Sequence, residues 1–349
     1  MRATGLLRPA AVSNRLAGVL GAVAMLAGCG TVGPAASRPC DLYAAPTGSD
    51  AASGTLQRPL RTPQELANRL APGRTGCLRR GVYRSSRRTG YVVRFSAGGR
   101  RGAPVTIQSR PGERATLAGV VYVPRGSNFV TLADVDIDDP TSFTQAGQLT
   151  LQVNAADTVL RDLNITNRAR KTCVVLGSPG RWGNAVRTVL RDSVLHDCGN
   201  RANGLLDHAI YVSQAVGARI LDNRIVRAAG YAVHLYPDAQ GTRVAGNVMA
   251  DNGGGVIFAG EGGDASSGNV VEHNVIADSI QDYNVAHYWG GRVGRGNAAR
   301  DNCLFNPSQL NLEAPVGYVA ARNLVADPGF AAGGYEPAPG SPCASLLGP

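Results

Sequence analysis

Ile220-Leu221-Asp222-Asn223-Arg224-Ile225 returns as Val244-Ala245-Gly246-Asn247-Val248-Met249 and again as Val271-Glu272-His273-Asn274-Val275-Ile276. Weaker copies follow at Ala299-Arg300-Asp301-Asn302-Cys303-Leu304 and Ala320-Ala321-Arg322-Asn323-Leu324-Val325. Upstream, the segments 189–194, 159–165 and 131–137 keep the pattern, with Asp192, Asp162 and Asp134 read at the asparagine position. From Asp134 to Asn323 the steps are 28, 30, 31, 24, 27, 28 and 21 residues. A period of this size means one small structural unit stacked many times.

The unit is built of strands. Each asparagine segment is paired with a second short aliphatic stretch, such as Cys173-Val174-Val175-Leu176, Ala209-Ile210-Tyr211-Val212, Ala232-Val233-His234-Leu235, Gly255-Val256-Ile257-Phe258 and Asn284-Val285-Ala286-His287. Gly, Asn and Asp bound these stretches, as they bound strands between tight turns. With 45 Gly and 20 Pro, long helices are disfavoured. The expected architecture is all-β, a single-domain right-handed parallel β-helix with one coil per repeat. Stacked asparagine amides can bond from coil to coil inside the turn, so Asn223, Asn247, Asn274, Asn302 and Asn323 are expected to be structural rather than chemical.

Residues 1–28 read as a processing segment: Arg2, Arg8 and Arg15, an apolar stretch over 16–26, then Leu26-Ala27-Gly28-Cys29. The closing tetrapeptide resembles a bacterial lipobox, which implies a diacylglyceryl group on the Cys29 thiol and an anchor at the outer face of the cell membrane. Residues 29–39 would then be a tether and 40–349 the β-helix domain. No other stretch is apolar for long enough to span a bilayer. Export suits the six remaining cysteines, an even number in an oxidising compartment. Fifteen pairings are possible. The local one is expected: Cys40–Cys77, Cys173–Cys198 and Cys303–Cys343. No Cys/His spacing suggests zinc.

Thr62, Pro63 and Glu65 mark a capping box with proline at the first helical position, predicting a short helix over 63–70. That helix would cover the open N-terminal end of the solenoid. Cys77-Leu78-Arg79-Arg80-Gly81-Val82-Tyr83 follows as the first coil strand. The run Gly48-Ser49-Asp50, Gly54-Thr55, Pro59 and Thr62, then a helix and Gly81-Val82-Tyr83, resembles the N-terminal segment of secreted proteins of the pectin-lyase-like superfamily. Asp327-Pro328-Gly329-Phe330 and Pro339-Gly340-Ser341-Pro342 resemble their closing segment. The resemblance spans about residues 40–345 and implies the fold. It does not select a reaction, because the superfamily holds lyases, hydrolases, epimerases and non-enzymes.

The net charge is +10, and removing the three leader arginines leaves +7. A positive exported protein suits an acidic polysaccharide or another cell-envelope glycan. Nucleic acid is not expected, since no recognition motif is present. A monomer is expected, and no metal or cofactor is indicated. The closely set aspartates of calcium-dependent pectate lyases are not evident. The acidic motif of polygalacturonases is absent too, as is the Asp-Pro-His motif of alginate epimerases, which Tyr236-Pro237-Asp238 only echoes.

The long connections, 177–187, 213–218, 236–241, 260–269 and 288–296, all follow the second stretch of a coil, so they gather on one rim. They carry Trp182 and Trp289, the only tryptophans, with Asp238, Glu261 and Arg292. Aromatic faces suit sugar rings, and arginine suits carboxylates. If Ile210 and Val212 face inward, Tyr211 faces outward, and by the same alternation His234 and Tyr236 do. Asp207 and His208 lead into the same strand, Lys171 lies a coil earlier, and His287 two coils later, so four of the five histidines, His208, His234, His287 and His273, are expected on or near one face.

This group suits proton abstraction beside a uronate carboxylate, the step shared by lyases and C5-epimerases. The expected roles are histidine as base, with His234 central, and Tyr211 or Tyr236 as acid. Lys171 or an arginine would clamp the carboxylate, and Asp207 would orient His208 or His234. Lys171, Trp182, Asp238, Glu261, His287, Trp289 and Arg292 are the expected substrate contacts. The competing expectation is a non-catalytic envelope protein that holds glycan on the same rim.

Overall fold

The structure, a computed structural model, describes residues 39–85, 90–140 and 149–347. The signal segment, Cys29 and nearly all of the tether lie outside the described residues. The described chain is a right-handed parallel β-helix. Each full coil contributes three strands, for example Arg219–Leu221, Arg224–Val226 and Tyr231–Gln240, followed in the next coil by Arg243–Ala245, Val248–Ala250 and Gly254–Glu261. Equivalent strands pair in parallel from coil to coil, giving sheets of 11, 10 and 10 strands. A small antiparallel hairpin between Gly254–Glu261 and Asp264–Ala265 interrupts the pattern at one edge.

The asparagine segment is therefore two strands, not one. The chain bends between them at a single residue in the left-handed region: Asp222 (φ 55°), Gly246 (φ 69°), His273 (φ 54°), Asp301 (φ 56°) and Arg322 (φ 51°). Asp, Asn and Gly tolerate this conformation best, which explains the preference for Asp there. Asp134, Asp162 and Asp192 occupy this same bend (φ 55°, 57° and 52°). They align with Asp222 and not with Asn223, because Val189 pairs with Arg219 and Leu190 with Ile220. The asparagine's own place is taken upstream by Ser193, whose N–H donates to the Asn223 Oδ1 at 3.1 Å.

The ladder itself forms as its spacing suggests. Nδ2 of Asn223, Asn247, Asn274 and Asn302 each donates to Oδ1 of the next asparagine at 2.9 Å. Each Oδ1 also accepts the preceding asparagine's backbone N–H, at 2.9 to 3.1 Å. The sharp bend strips these amides of backbone partners, and the side chains replace them. Asn269 and Asn297 form a further rung at another corner (3.0 Å).

At the N-terminal end the helix Pro63–Arg69 is capped by Thr62, whose side chain accepts from Glu65 N–H. The reciprocal half of the capping box is not made. Glu65 turns to Arg69 (2.6 Å), and Asp50 accepts the Thr62 N–H instead at 2.9 Å. Leu66 is buried on the first coil, where a Cβ on Gly76 would come within 2.7 Å of its Cγ. Residues 77–83 divide into Thr75–Leu78 and Gly81–Arg84 around Arg79 and Arg80, not one strand. Three disulfides join Cys40–Cys77, Cys173–Cys198 and Cys303–Cys343.

Candidate functional site

The third strand of each coil builds the face that matters. Its pairing register carries one outward row through Tyr122, Gln152, Val175, Tyr211, His234, Ile257 and Ala286. The neighbouring inward row runs Val123, Val153, Leu176, Val212, Leu235, Phe258 and His287. Tyr211 and His234 are thus direct register partners on the outside of the solenoid.

Around them a cleft of about 460 Å³ is lined by Leu206, Asp207, His208, Tyr211, His234, Tyr236 and Trp289 among others. His234 is enclosed by rings: Tyr236 stacked at 5.0 Å between centroids, Trp289 edge-on at 5.3 Å and Tyr211 at 5.4 Å. His208 lies beside it, with its Nε2 2.7 Å from Nδ1 of His234. The backbone N–H of Tyr231 donates to Nδ1 of His208 at 3.3 Å. Gly230 makes this approach possible, since a Cβ there would meet Asp207 O at 2.6 Å and His208 Nδ1 at 2.9 Å.

Burial sets the electrostatics. It pushes His208 down to about 3. His234 is also held well below the ordinary histidine value, first by burial and then by His208. Both imidazoles are neutral at neutral pH. Tyr211 is pushed up to about 12, chiefly by burial. Tyr236 is raised by burial and by its hydrogen bond to Glu261. The Tyr231 hydroxyl donates to the carboxylate of Asp282.

Several expected members are placed elsewhere. Lys171 is not a free cation on the rim: its Nζ stands 2.6 Å from Asp139 Oδ2, with the two side chains 5% and 0% exposed. An ammonium taken out of water needs a carboxylate partner, and here that partner lies inside the protein. His287 falls on the inward row, where its Nδ1 lies 2.8 Å from Glu313. His273 occupies a bend between the first two sheets. Two histidines, not four, therefore belong to the cleft.

Asp207 does line the cleft, but it orients neither imidazole. Its Oδ2 accepts from Asn200 N–H (3.0 Å) and Asn203 Nδ2 (2.8 Å), pinning the turn Arg201–Leu206 that forms one lip. The Tyr231 amide takes the orienting role.

Glu261 reaches the cleft through Tyr236, whereas Asp238 accepts from the Gln240 side chain at 2.6 Å. Arg292 is exposed in the connection beyond Trp289. Trp182, 44% exposed, packs edge-on to Tyr122 at 6.5 Å with Arg181 over its ring. Tyr122 and His234 are four register steps apart on the outward row, about 19 Å at ~4.8 Å per step. A second cleft of about 540 Å³ near Trp182 is lined by Arg125 and by asparagine, glycine, alanine and valine, a set with no proton-transfer group.

Tyr231 and Asp282 were not expected here. Strict alternation from Val233 and Leu235 would turn Tyr231 inward. Its ring instead packs with Ile257, Ala286 and Trp289 on the outer side. Its position immediately after Gly230, where the backbone is freest to redirect a side chain, was the available signal.

The fold is shared with known structures. XylC in complex with xylose superimposes with a TM-score of 0.52 at 13% identity, over 78% of this chain and 69% of that one. Pectate lyase Pel9A gives 0.57 at 14% identity, over 81% and 76%. At such identities the likeness is one of fold. No protein-family model and no curated protein matches the sequence.

Proposed function

We propose that the chain is an exported, lipid-anchored, carbohydrate-active β-helix protein that acts on an acidic polysaccharide. The proposed reaction is removal of the proton beside a uronate carboxylate, as in a lyase or a C5-epimerase. The observation that carries this reading is the convergence of Tyr211, His234, Tyr236 and Trp289 on one cleft. Flat aromatic walls suit sugar rings, and phenol and imidazole groups suit proton transfer. A pectate lyase with the same fold is in keeping with this class of substrate.

The roles differ from those the residue types first suggest. A buried imidazole whose protonated form is strongly disfavoured is a weak base. The Tyr236–Glu261 pair is the better candidate: the phenol oxygen takes the carbon-bound proton as its own proton passes to the Glu261 carboxylate. Tyr211, which holds its proton tightly, then serves as the acid toward the leaving oxygen or the opposite ring face.

The test is to incubate the mature chain with uronate polymers and sulfated glycans. Unsaturated products, and exchange of the C5 hydrogen in heavy water, are both followed. Either signal with a uronate supports the reading, and Tyr236→Phe should then lower it by about 10²-fold or more.

A non-catalytic glycan-binding role is the second reading. It is favoured by the enclosure of His234, 1% exposed beneath Trp289 and Tyr236. Retention on a glycan column without turnover would select it, and neither turnover nor retention would remove both.

A further inference from the structure

The two cleft histidines are linked by hydrogen bonds that run in one direction only. The Tyr231 amide, 3.3 Å from Nδ1 of His208, has a proton to give and no lone pair to offer. That nitrogen of His208 is therefore the acceptor, and in the neutral ring its proton sits on Nε2. Nε2 of His208 stands 2.7 Å from Nδ1 of His234. Two ring nitrogens at this distance share one proton, and His208 supplies it. His234 must then carry its own proton on Nε2. That atom is buried and has no hydrogen-bond partner among the described residues, although the ring lines the cleft. A buried polar N–H without a partner costs free energy, and such atoms are rare unless something outside the chain completes them.

We propose that His208 is a positioning residue that locks His234 in its Nε2–H tautomer. His234 is thereby a neutral hydrogen-bond donor, held for an oxygen of the bound ligand, and not a proton acceptor. The identity of that oxygen, a carboxylate or hydroxyl of an acidic sugar, rests on the function proposed above. The tautomer follows from the geometry alone. The same amide that sets the tautomer also opposes protonation, because His208 with protons on both nitrogens would turn a second donor toward Tyr231 N–H.

The groups facing the pair do not offset this. Tyr211, Tyr231 and Tyr236 present rings to it. Asp282 is engaged by the Tyr231 hydroxyl, Glu261 by Tyr236, and Asp207 by Asn200 and Asn203. Among the described residues no carboxylate is hydrogen-bonded to either ring. Burial, which holds both histidines well below their ordinary value, acts in the same direction.

Nitrogen-15 NMR of the mature chain labelled at histidine tests this, with the His234 signals identified by their loss in His234→Gln. The expected spectrum shows a protonated Nε2 and a bare Nδ1 that do not change between about pH 5 and 8. In His208→Phe, which removes the donor, His234 should show mixed tautomers. In His208→Gln, whose amide can donate from the place of Nε2, the wild-type tautomer should persist.

A proton on Nδ1 of His234 in the wild type, or a charged His234 within that pH range, would overturn the proposal. If His208→Phe does not fold, the wild-type spectrum still decides. Added galacturonate oligosaccharides should move the His234 Nε2–H resonance. The expected tautomer with no response to any glycan would uphold the lock and count against the glycan reading instead.

Discussion

The indole of Trp289 stands edge-on to the imidazole of His234, with centroids 5.3 Å apart and planes at 73°. Tyr236 lies nearly flat against the same imidazole, at 5.0 Å and 21°. His234 is thus closed off by side chains, Tyr236 from its own strand and Trp289 from the strand two coils on, and not by the backbone of a covering domain. A side chain on the outer face can move or be trimmed without disturbing the solenoid interior.

Trp289→Ala should therefore leave the fold intact and weaken retention on an acidic glycan by about tenfold, the loss of roughly 1–1.5 kcal/mol of aromatic contact. Trp182→Ala, far along the outward row, should have the smaller effect. Affinity electrophoresis of both variants beside the wild type checks the order, and equal losses would mean that the cleft at His234 is not the centre of binding.

Lys171→Met should destabilise the chain by about 3–5 kcal/mol, because it removes the ammonium that balances a buried Asp139. Glycan binding by the folded fraction should be unchanged. Urea denaturation reads the first effect. A stable variant with lost binding would return Lys171 to the site.

Asn274→Ala breaks the ladder in its middle, taking partners from Asn247 and leaving Asn302 short of a donor. A cost on the order of 3 kcal/mol is expected. Asn323→Ala, at the end of the ladder, should cost less, since Asn323 donates only to Ala299 O and has no later rung. Equal costs would show that the rungs act independently of their depth in the stack.

Stability should fall with acid through the cleft histidines. Above the ordinary value of about 6.5, His208 is neutral in both folded and unfolded chains and contributes nothing to the slope. Below it the unfolded chain binds a proton that the folded chain refuses until about pH 3. Stability is therefore lost as pH falls through that window, by up to about 1.4 kcal/mol per pH unit for each such histidine. His234 acts in the same direction. Comparing unfolding near pH 7 and pH 5 should show a shallower loss in His208→Gln/His234→Gln than in the wild type, and parallel losses would refute the assignment.

Labelling of cells with a clickable fatty acid should mark the full-length chain, and Cys29→Ser should abolish the mark. A wild type released without label would remove the lipid anchor from the proposed function.

Much of the architecture was legible because its signals are local or periodic. Asn223, Asn247 and Asn274 recur at coil spacing, so the ladder is legible in the sequence itself. The three disulfides join cysteines that the chain brings close within a coil or two. Tyr211 and His234 were placed outward and adjacent by alternation combined with the repeat. The bend at Asp222 was harder to see, because a single left-handed residue leaves no periodic trace, and so two strands read as one. The aspartates one position before the asparagine were merged with it for the same reason.

By itself the sequence determined the stacked parallel coils, their internal amide ladder and the outward face on which Tyr211 and His234 lie. Each of these follows from a residue pattern repeated along the chain. The tertiary structure alone decided which polar groups remain available for chemistry. Lys171 is consumed by Asp139, His287 turns inward to Glu313, and Asp207 secures a turn. His208, two residues before its strand, is brought against His234 by a glycine that lets the Tyr231 amide reach its ring. Apart from the local turn at Asp207, these partnerships join residues about a coil apart through distances of about 3 Å. Insertions of unequal length set those distances, and no repeat in the sequence encodes them.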